Sequence, residues 1–199
     1  LGWSHSVFRL IAAITIVGML GGCGRAKDQA VTITPHQVQV DADAMPGDPF
    51  GSASAAYLRL KEVTDAAIAR PWSGTLDDFA PWLEAQTVSI ERSLGLLKAI
   101  RTGPSDVYAV ANGRIAFLYE DIAMALTEAS ALAAAEGAEA DWKDQEGRIW
   151  EQARAFWARC VRGCSMGGAY LDAWDLRCGH GVANAQAKID VSSPPRQPN

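Results

Sequence analysis

The stretch that decides the fold begins at Ser105 and reads SDVYAVANGRIAFLYEDIAMALTEASAL. Its apolar residues recur at intervals of three and four, which places them on one face of an α-helix. Ser105 is a suitable amino-terminal cap, and Gly103-Pro104 before it and Gly137 after it are typical helix breaks. The stretch therefore predicts a long amphipathic helix with a stripe made of Val107, Ala111, Ile115, Leu118, Ile122, Leu126, Ala129 and Leu132.

Two shorter helices are predicted before this one. The first lies between Ser52 and Arg70, because a proline at 71 disfavours helical conformation in the residue before it. The second begins in the segment 75–78, where a threonine precedes two acids, and ends before Gly103-Pro104. Pro81 suits the first turn of this helix. The apolar positions of the two helices are Ala56, Leu60, Val63 and Ala67, and Leu83, Ile90, Leu94 and Leu97.

A fourth helix is predicted over residues 140–162, followed by a short helical hairpin that contains Trp174. Four amphipathic helices joined by short breaks favour an all-α fold, an antiparallel four-helix bundle with a C-terminal helical hairpin. Residues 181–199 lack apolar periodicity and predict a disordered tail. The apolar positions of the fourth helix are Ile149, Ala153, Phe156 and Cys160, flanked by Trp142, Trp150 and Trp157.

Composition limits the partners of this chain. Its 199 residues include 49% hydrophobic residues, and 18 Lys and Arg stand against 23 Asp and Glu. The resulting net charge of −5, without a basic run, argues against nucleic acid as a partner. Eight acids between residues 112 and 146 form either an acidic partner-binding face or a solvated helix surface: Glu120, Asp121, Glu128, Glu136, Glu139, Asp141, Asp144 and Glu146.

The first residues carry an export signal. Residues 10–24 contain no charge and follow Arg9, which matches the length of a secretory apolar segment and is too short to span a bilayer. Leu20-Gly21-Gly22-Cys23 resembles the lipobox of bacterial lipoproteins. The resemblance implies cleavage between Gly22 and Cys23 and a diacylglycerol on Cys23. The predicted organisation is a signal peptide (1–22), a lipidated flexible tether (23–51), a helical domain (52–180) and the tail (181–199).

The same resemblance implies a location and a role. The lipid would hold the protein in the cell membrane or the outer membrane, with the helical domain facing the periplasm or the cell surface. Gly24, in place of the aspartate that retains enteric lipoproteins in the inner membrane, favours the outer membrane. We expect a non-enzymatic binding or structural role in the cell envelope, with an envelope protein as a partner and with no cofactor or metal.

Three cysteines remain once Cys23 is acylated, and disulfides persist in an exported protein. If the chain reverses after the fourth helix, Cys178 runs back beside that helix and reaches Cys160 more easily than Cys164. The sequence therefore favours a Cys160–Cys178 disulfide, with Cys164–Cys178 as the alternative. A bridge between Cys160 and Cys164 within one helix is geometrically poor.

Two chemical alternatives involve the same region. Cys160, Cys164, Cys178 and His180 supply three thiolates and an imidazole, a ligand set that zinc accepts, although their spacing is not that of the usual zinc fingers.

Gly163-Cys-Ser165-Met-Gly167 resembles the nucleophile elbow of α/β-hydrolases, and Asp172 or Asp175 and His180 follow Ser165 in the order of that family. The charged amphipathic segment before Ser165 argues for a helix, whereas the elbow needs a buried strand.

Overall fold

The structure is a computed structural model that describes residues 43–137 and 142–192. It contains five α-helices, which we number α1 (Ala55–Ile68), α2 (Leu76–Ile100), α3 (Ser105–Ala135), α4 (Lys143–Cys164) and α5 (Asp172–Ser192). A short 3-10 helix (Ala169–Leu171) precedes α5. The described residues contain no strand, and the all-α prediction is confirmed. Across these ranges, no helix combines the length and the hydropathy needed to cross a bilayer.

Helix α3 lies at the centre of the fold and contacts each of the other four helices. Helices α1 and α2 pack on each other and on α3, while α4 packs on α3 and α5. Residues 109–116 of α3 are all buried, because alanine and glycine at several of these positions let neighbours approach from more than one side. The predicted four-helix packing is therefore seen in part: one central helix contacts the other four.

The buried face of α1 is rotated from the predicted one. Leu60 and Ala67 are buried as expected, but Tyr57 and Thr64 take the places predicted for Ala56 and Val63, which are half-buried. The Tyr57 hydroxyl donates to the carboxylate of Asp48 at 3.1 Å, and the Thr64 hydroxyl donates to the Lys61 carbonyl at 3.0 Å. Both polar groups are thus satisfied inside, and the larger tyrosine ring gains more from burial than an alanine.

The helix ends follow the predicted breaks with small shifts. Thr75 is the N-cap of α2. Pro81 therefore lies in the second turn of this helix, whereas we predicted it in the first turn. The carboxylate of Asp78 accepts hydrogen bonds from the hydroxyls of Ser73 and Thr75. Gly137, with φ of 74°, follows the end of α3 in the left-handed conformation that glycine tolerates best.

The predicted flexible tether does not extend to residue 51. Within the described part of that segment, Pro46 is buried and the Gly47 carbonyl accepts a hydrogen bond from the Trp174 indole at 2.9 Å. The Phe50 ring contacts the Tyr57 ring edge-on at 5.3 Å. The buried Pro46, the Trp174 hydrogen bond and the Phe50 ring contact hold this segment against the helices, which its prolines and aspartates did not indicate. The lipobox, Cys23 and the rest of the tether lie outside the described residues.

The predicted disordered tail is wrong for residues 181–192, which continue α5. Gly181 and Ala185 are buried, and the Asn184 amide donates to the carboxylate of Glu120 at 2.8 Å. Close packing of small residues and a partly buried hydrogen bond hold this segment in place without a large apolar stripe. Residues 193–199 lie outside the described residues.

Gly181 allows α5 to approach α4 closely. A Cβ atom at this position would lie 2.5 Å from the ring of the buried Trp157. We expect Gly181→Ala to lower the free energy of unfolding by about 1–3 kcal/mol, measured by urea denaturation followed by circular dichroism. Gly179→Ala is the matched control, because nothing lies within 4 Å of its Cβ and alanine favours the helix by up to about 1 kcal/mol. Equal stability of the two variants would contradict this close packing.

Candidate functional site

Three cysteines meet between α4 and α5. The Sγ atoms of Cys160 and Cys178 lie 2.04 Å apart, the distance of a disulfide bond. The Sγ of Cys164 is 3.8 Å from that of Cys160, and all three sulfurs lie within 4.8 Å of one another. We call these residues the cysteine cluster. Of the two pairings that the sequence left open, the structure contains Cys160–Cys178, and Cys164 is a free thiol.

Three helices position the cysteine cluster. Cys160 and Cys164 are one turn apart on the same face of α4, while Cys178 comes from α5. Gly113 of the central helix lies opposite, where a Cβ would be 2.8 Å from the Cys160 sulfur and 2.7 Å from the Trp174 ring. The cluster is therefore enclosed: the exposed fractions of Cys160, Cys164 and Cys178 are 0%, 3% and 0%.

Burial also sets the chemistry of the free thiol. It raises the pKa of Cys164 to about 12, and the negative charges of Asp175 and Asp106 add to this increase. The thiolate is the nucleophilic form of cysteine, so Cys164 is unreactive near neutral pH although it adjoins a disulfide. The oxidised cluster is a structural element.

The fourth residue of the predicted zinc set lies apart from the cluster. The side chain of His180 is 44% exposed, and its Nδ1 is 3.7 Å from a carboxylate oxygen of Asp43. Only the three cysteine sulfurs come together among the described residues. The Cys3His set is therefore not assembled.

The hydrolase resemblance also lacks its geometry. Ser165 is exposed and caps the C-terminus of α4, so a helix precedes it where the nucleophile elbow requires a strand. Within the described ranges, no hydrogen bond joins its hydroxyl to Asp172, Asp175 or His180. The residues of the proposed triad thus have the expected order in the chain but do not form a hydrogen-bonded triad.

A buried ion pair and its hydrogen-bond partners join α3, α4 and α5 beside the cysteine cluster. A carboxylate oxygen of Glu120 on α3 accepts from Arg177 Nη2 at 2.6 Å and from the indole of Trp157 at 3.1 Å. Its other oxygen accepts from Asn184. Glu120 and Arg177 are 4% and 2% exposed, so this carboxylate is not part of an acidic surface. We call Glu120, Arg177, Trp157 and Asn184 the buried ion-pair network.

The guanidinium of Arg177 is held by aromatic rings as well as by charge. Its central carbon lies 4.3 Å from the Trp157 ring centroid and 5.1 Å from that of Phe117. These cation–π contacts compensate part of the desolvation of a side chain whose Nε and Nη1 have no hydrogen-bond acceptor. The Arg177 side chain therefore interacts with Glu120 and with the two aromatic rings beside it.

Sequence reasoning missed this network, since Glu120 was counted among eight acids of one region. A signal was present: Glu120 shares a helix face with Gly113, Ala116 and Ala123. A face of small residues packs closely against a neighbouring helix, so an acid on it is expected to be buried and to need a cation. Arg177 could not be identified as that cation without the fold.

A second buried arginine ties the N-terminal segment to the helices. Arg114 Nη1 donates to the Asp65 carboxylate at 2.7 Å and lies 3.4 Å from the Thr64 hydroxyl and 3.7 Å from the Met45 sulfur. Its guanidinium stands 5.7 Å from the Trp174 ring centroid. Arg114 thus connects α1, α3 and α5 with residues 43–51.

Asp121, next to Glu120, makes stability depend on pH. Burial raises its pKa from 3.8 to about 6, and the charges of Glu120 and Glu128 add to the increase. Between these pH values the folded protein holds a proton that the unfolded chain has lost, so stability falls as pH rises from about 4 to 6, by at most about 3 kcal/mol. We expect Asp121→Asn to remove this decrease, measured by urea denaturation across the range. A decrease of equal size in the variant would assign the pH dependence to other groups.

Comparison of the chain with protein-family models, with curated proteins and with solved structures finds no match. The functional interpretation therefore depends on the residues and their geometry.

Proposed function

We propose that this protein is a membrane-anchored bacterial lipoprotein whose helical domain has a binding or structural role in the cell envelope. In this proposal the chain is cleaved between Gly22 and Cys23, and the Cys23 sulfur carries the lipid. The domain then faces the periplasm or the cell surface, and an envelope protein is its partner.

The observation that carries the proposal is the pair Cys160 and Cys178 at disulfide distance. Disulfides of this structural kind persist in exported proteins and are rare in the cytosol. The pair lies far along the chain from the lipobox, so the two signals for export are independent. Both favour an exported protein.

The surface near the α4–α5 reversal supports a binding role. Met166, Tyr170 and Leu176 are 77%, 53% and 64% exposed, although each carries a large apolar group. Exposed apolar side chains that together form one surface patch are typical of protein contact surfaces. The Tyr170 hydroxyl donates to Asp106 at 2.6 Å, which holds its ring in place.

The anchor is tested with the full chain expressed in a bacterium. We expect the wild type to sediment with membranes and to incorporate a labelled fatty acid, because two or more acyl chains give stable membrane binding. Cys23→Ser should lose the label and remain unprocessed. Cys164→Ser is the matched control and should behave as the wild type. An unlabelled wild type would overturn the proposal.

The non-enzymatic part has its own test. We expect the folded protein to resist labelling by a fluorophosphonate probe for activated serines. Labelling that disappears in Ser165→Ala would contradict a purely binding or structural role and would restore the hydrolase alternative.

A further inference from the structure

We propose that the reduced cysteine cluster binds one monovalent copper ion through the Sγ atoms of Cys160, Cys164 and Cys178. The site exists only when the Cys160–Cys178 bond is open, so the same residues alternate between a disulfide and a metal centre. This inference concerns the helical domain alone and does not depend on the lipid anchor.

The spacing of the sulfurs fits a three-coordinate metal. With metal–sulfur bonds of about 2.3 Å, three ligands around one ion place their sulfurs about 4 Å apart. Cys160 and Cys164 are already 3.8 Å apart, and no two sulfurs of the cluster are separated by more than 4.8 Å. Only Cys160 and Cys178, which are bonded to each other, have to separate.

The ligand set favours copper over zinc. Structural zinc sites take four protein ligands, and no fourth ligand accompanies the three sulfurs among the described residues. His180, the ligand that the sequence indicated, is 44% exposed and lies beside Asp43. Thiolates are soft ligands that select soft ions, and monovalent copper accepts three of them without a fourth.

The copper site forms in two steps: the disulfide is reduced, and copper then replaces the thiol protons. A dithiol reductant gives two electrons and two protons to the Cys160 and Cys178 sulfurs, and the reductant becomes a disulfide. Copper then displaces the protons of three thiols and bonds to the sulfurs.

Burial explains why the ion would be held once it has entered. All three cysteines are at least nine-tenths buried, with Gly113 and the Trp174 ring closing the side that faces α3. Opening the disulfide removes the covalent link between α4 and α5, so the ion can enter between these helices. Water is largely excluded from the closed site, which protects monovalent copper from oxidation.

The test uses the full chain with Cys23→Ser, in detergent, so that only the three cluster thiols are present. The protein is reduced with a phosphine, desalted without oxygen and titrated with monovalent copper held by a coloured chelator. We expect one copper per chain, three thiols protected from alkylation, and three copper–sulfur bonds by X-ray absorption. The oxidised protein should bind none.

Two variants separate this site from nonspecific thiol binding. Adding Cys164→Ser leaves the disulfide pair intact but should weaken copper binding at least ~100-fold after reduction, because one of three ligands is lost. Adding Met166→Ala is the matched control and should change nothing, since this exposed sulfur is outside the cluster. Circular dichroism of each reduced protein establishes that it is helical.

Three outcomes would overturn the proposal. The first is a reduced protein, folded or not, that leaves the copper on the chelator. The second is full-affinity binding by the Cys164→Ser variant, which would mean that two thiolates suffice. The third is a preference for zinc with a fourth ligand. None of these outcomes bears on labelling of Cys23, so the anchor and the copper site fail separately.

Discussion

Glu120→Gln is expected to lower the free energy of unfolding by about 3–5 kcal/mol, measured by urea denaturation. The amide keeps the shape of the side chain but leaves the Arg177 guanidinium as an uncompensated charge in a buried environment. The Arg177 side chain is 1% exposed, and two of its nitrogens already lack an acceptor. The loss should therefore exceed that of an ordinary buried hydrogen bond, which is about 1 kcal/mol.

Two controls separate the buried charge from the loss of a contact. The double variant Glu120→Gln with Arg177→Met should recover much of the lost stability, because no unpaired charge remains and methionine is apolar. Lys61→Met breaks the half-exposed pair with Asp65, 2.6 Å long, and should cost less than about 1 kcal/mol. If Glu120→Gln were as mild as Lys61→Met, the interpretation of the network would be wrong.

Cys178→Ser is expected to lower the free energy of unfolding by about 3 kcal/mol, because the disulfide closes a loop with a sequence separation of 18 residues and so restricts the unfolded chain. Urea denaturation under oxidising conditions measures the loss. The serine hydroxyl also enters a site with 0% exposure, which adds to the effect.

The reference for this prediction is the wild type under a reducing agent. Reduction should bring the wild type close to Cys178→Ser, while the variant itself should not respond. Cys164→Ala keeps the disulfide and should retain the difference between oxidised and reduced stability. A wild type that is equally stable in both conditions would refute a stabilising bridge.

Local signals predicted much of this fold. Helix ends at Pro71, Gly103-Pro104 and Gly137 are set by backbone chemistry that operates within a few residues, so the sequence locates them closely. The pairing of Cys160 with Cys178 follows from a short reversal between two adjacent helices. These features need no knowledge of distant parts of the chain.

The remainder depended on long-range contacts. Residues 43–51 contain no helical pattern, and their order comes from Trp174 and Tyr57, which only the fold brings near. Gly181 was interpreted as the start of a tail because its helix has no apolar stripe, whereas the Trp157 ring requires a residue without a side chain there. In the candidate site, the three cysteines were identified from sequence, but the distance of His180 from them was not.

The central position of α3 between helices that precede and follow it in the chain has a consequence for folding speed. Most of the extensive contacts join neighbouring helices, so little chain entropy is spent on closing long loops before packing begins. Such helical topologies fold in roughly microseconds to milliseconds. One long-range exception is the hydrogen bond between Trp174 and Gly47, 127 residues apart, which forms only when α5 is in place. Residues 43–51 are then the last to dock and the first to open, and their amide hydrogens should exchange with solvent well before those of α3.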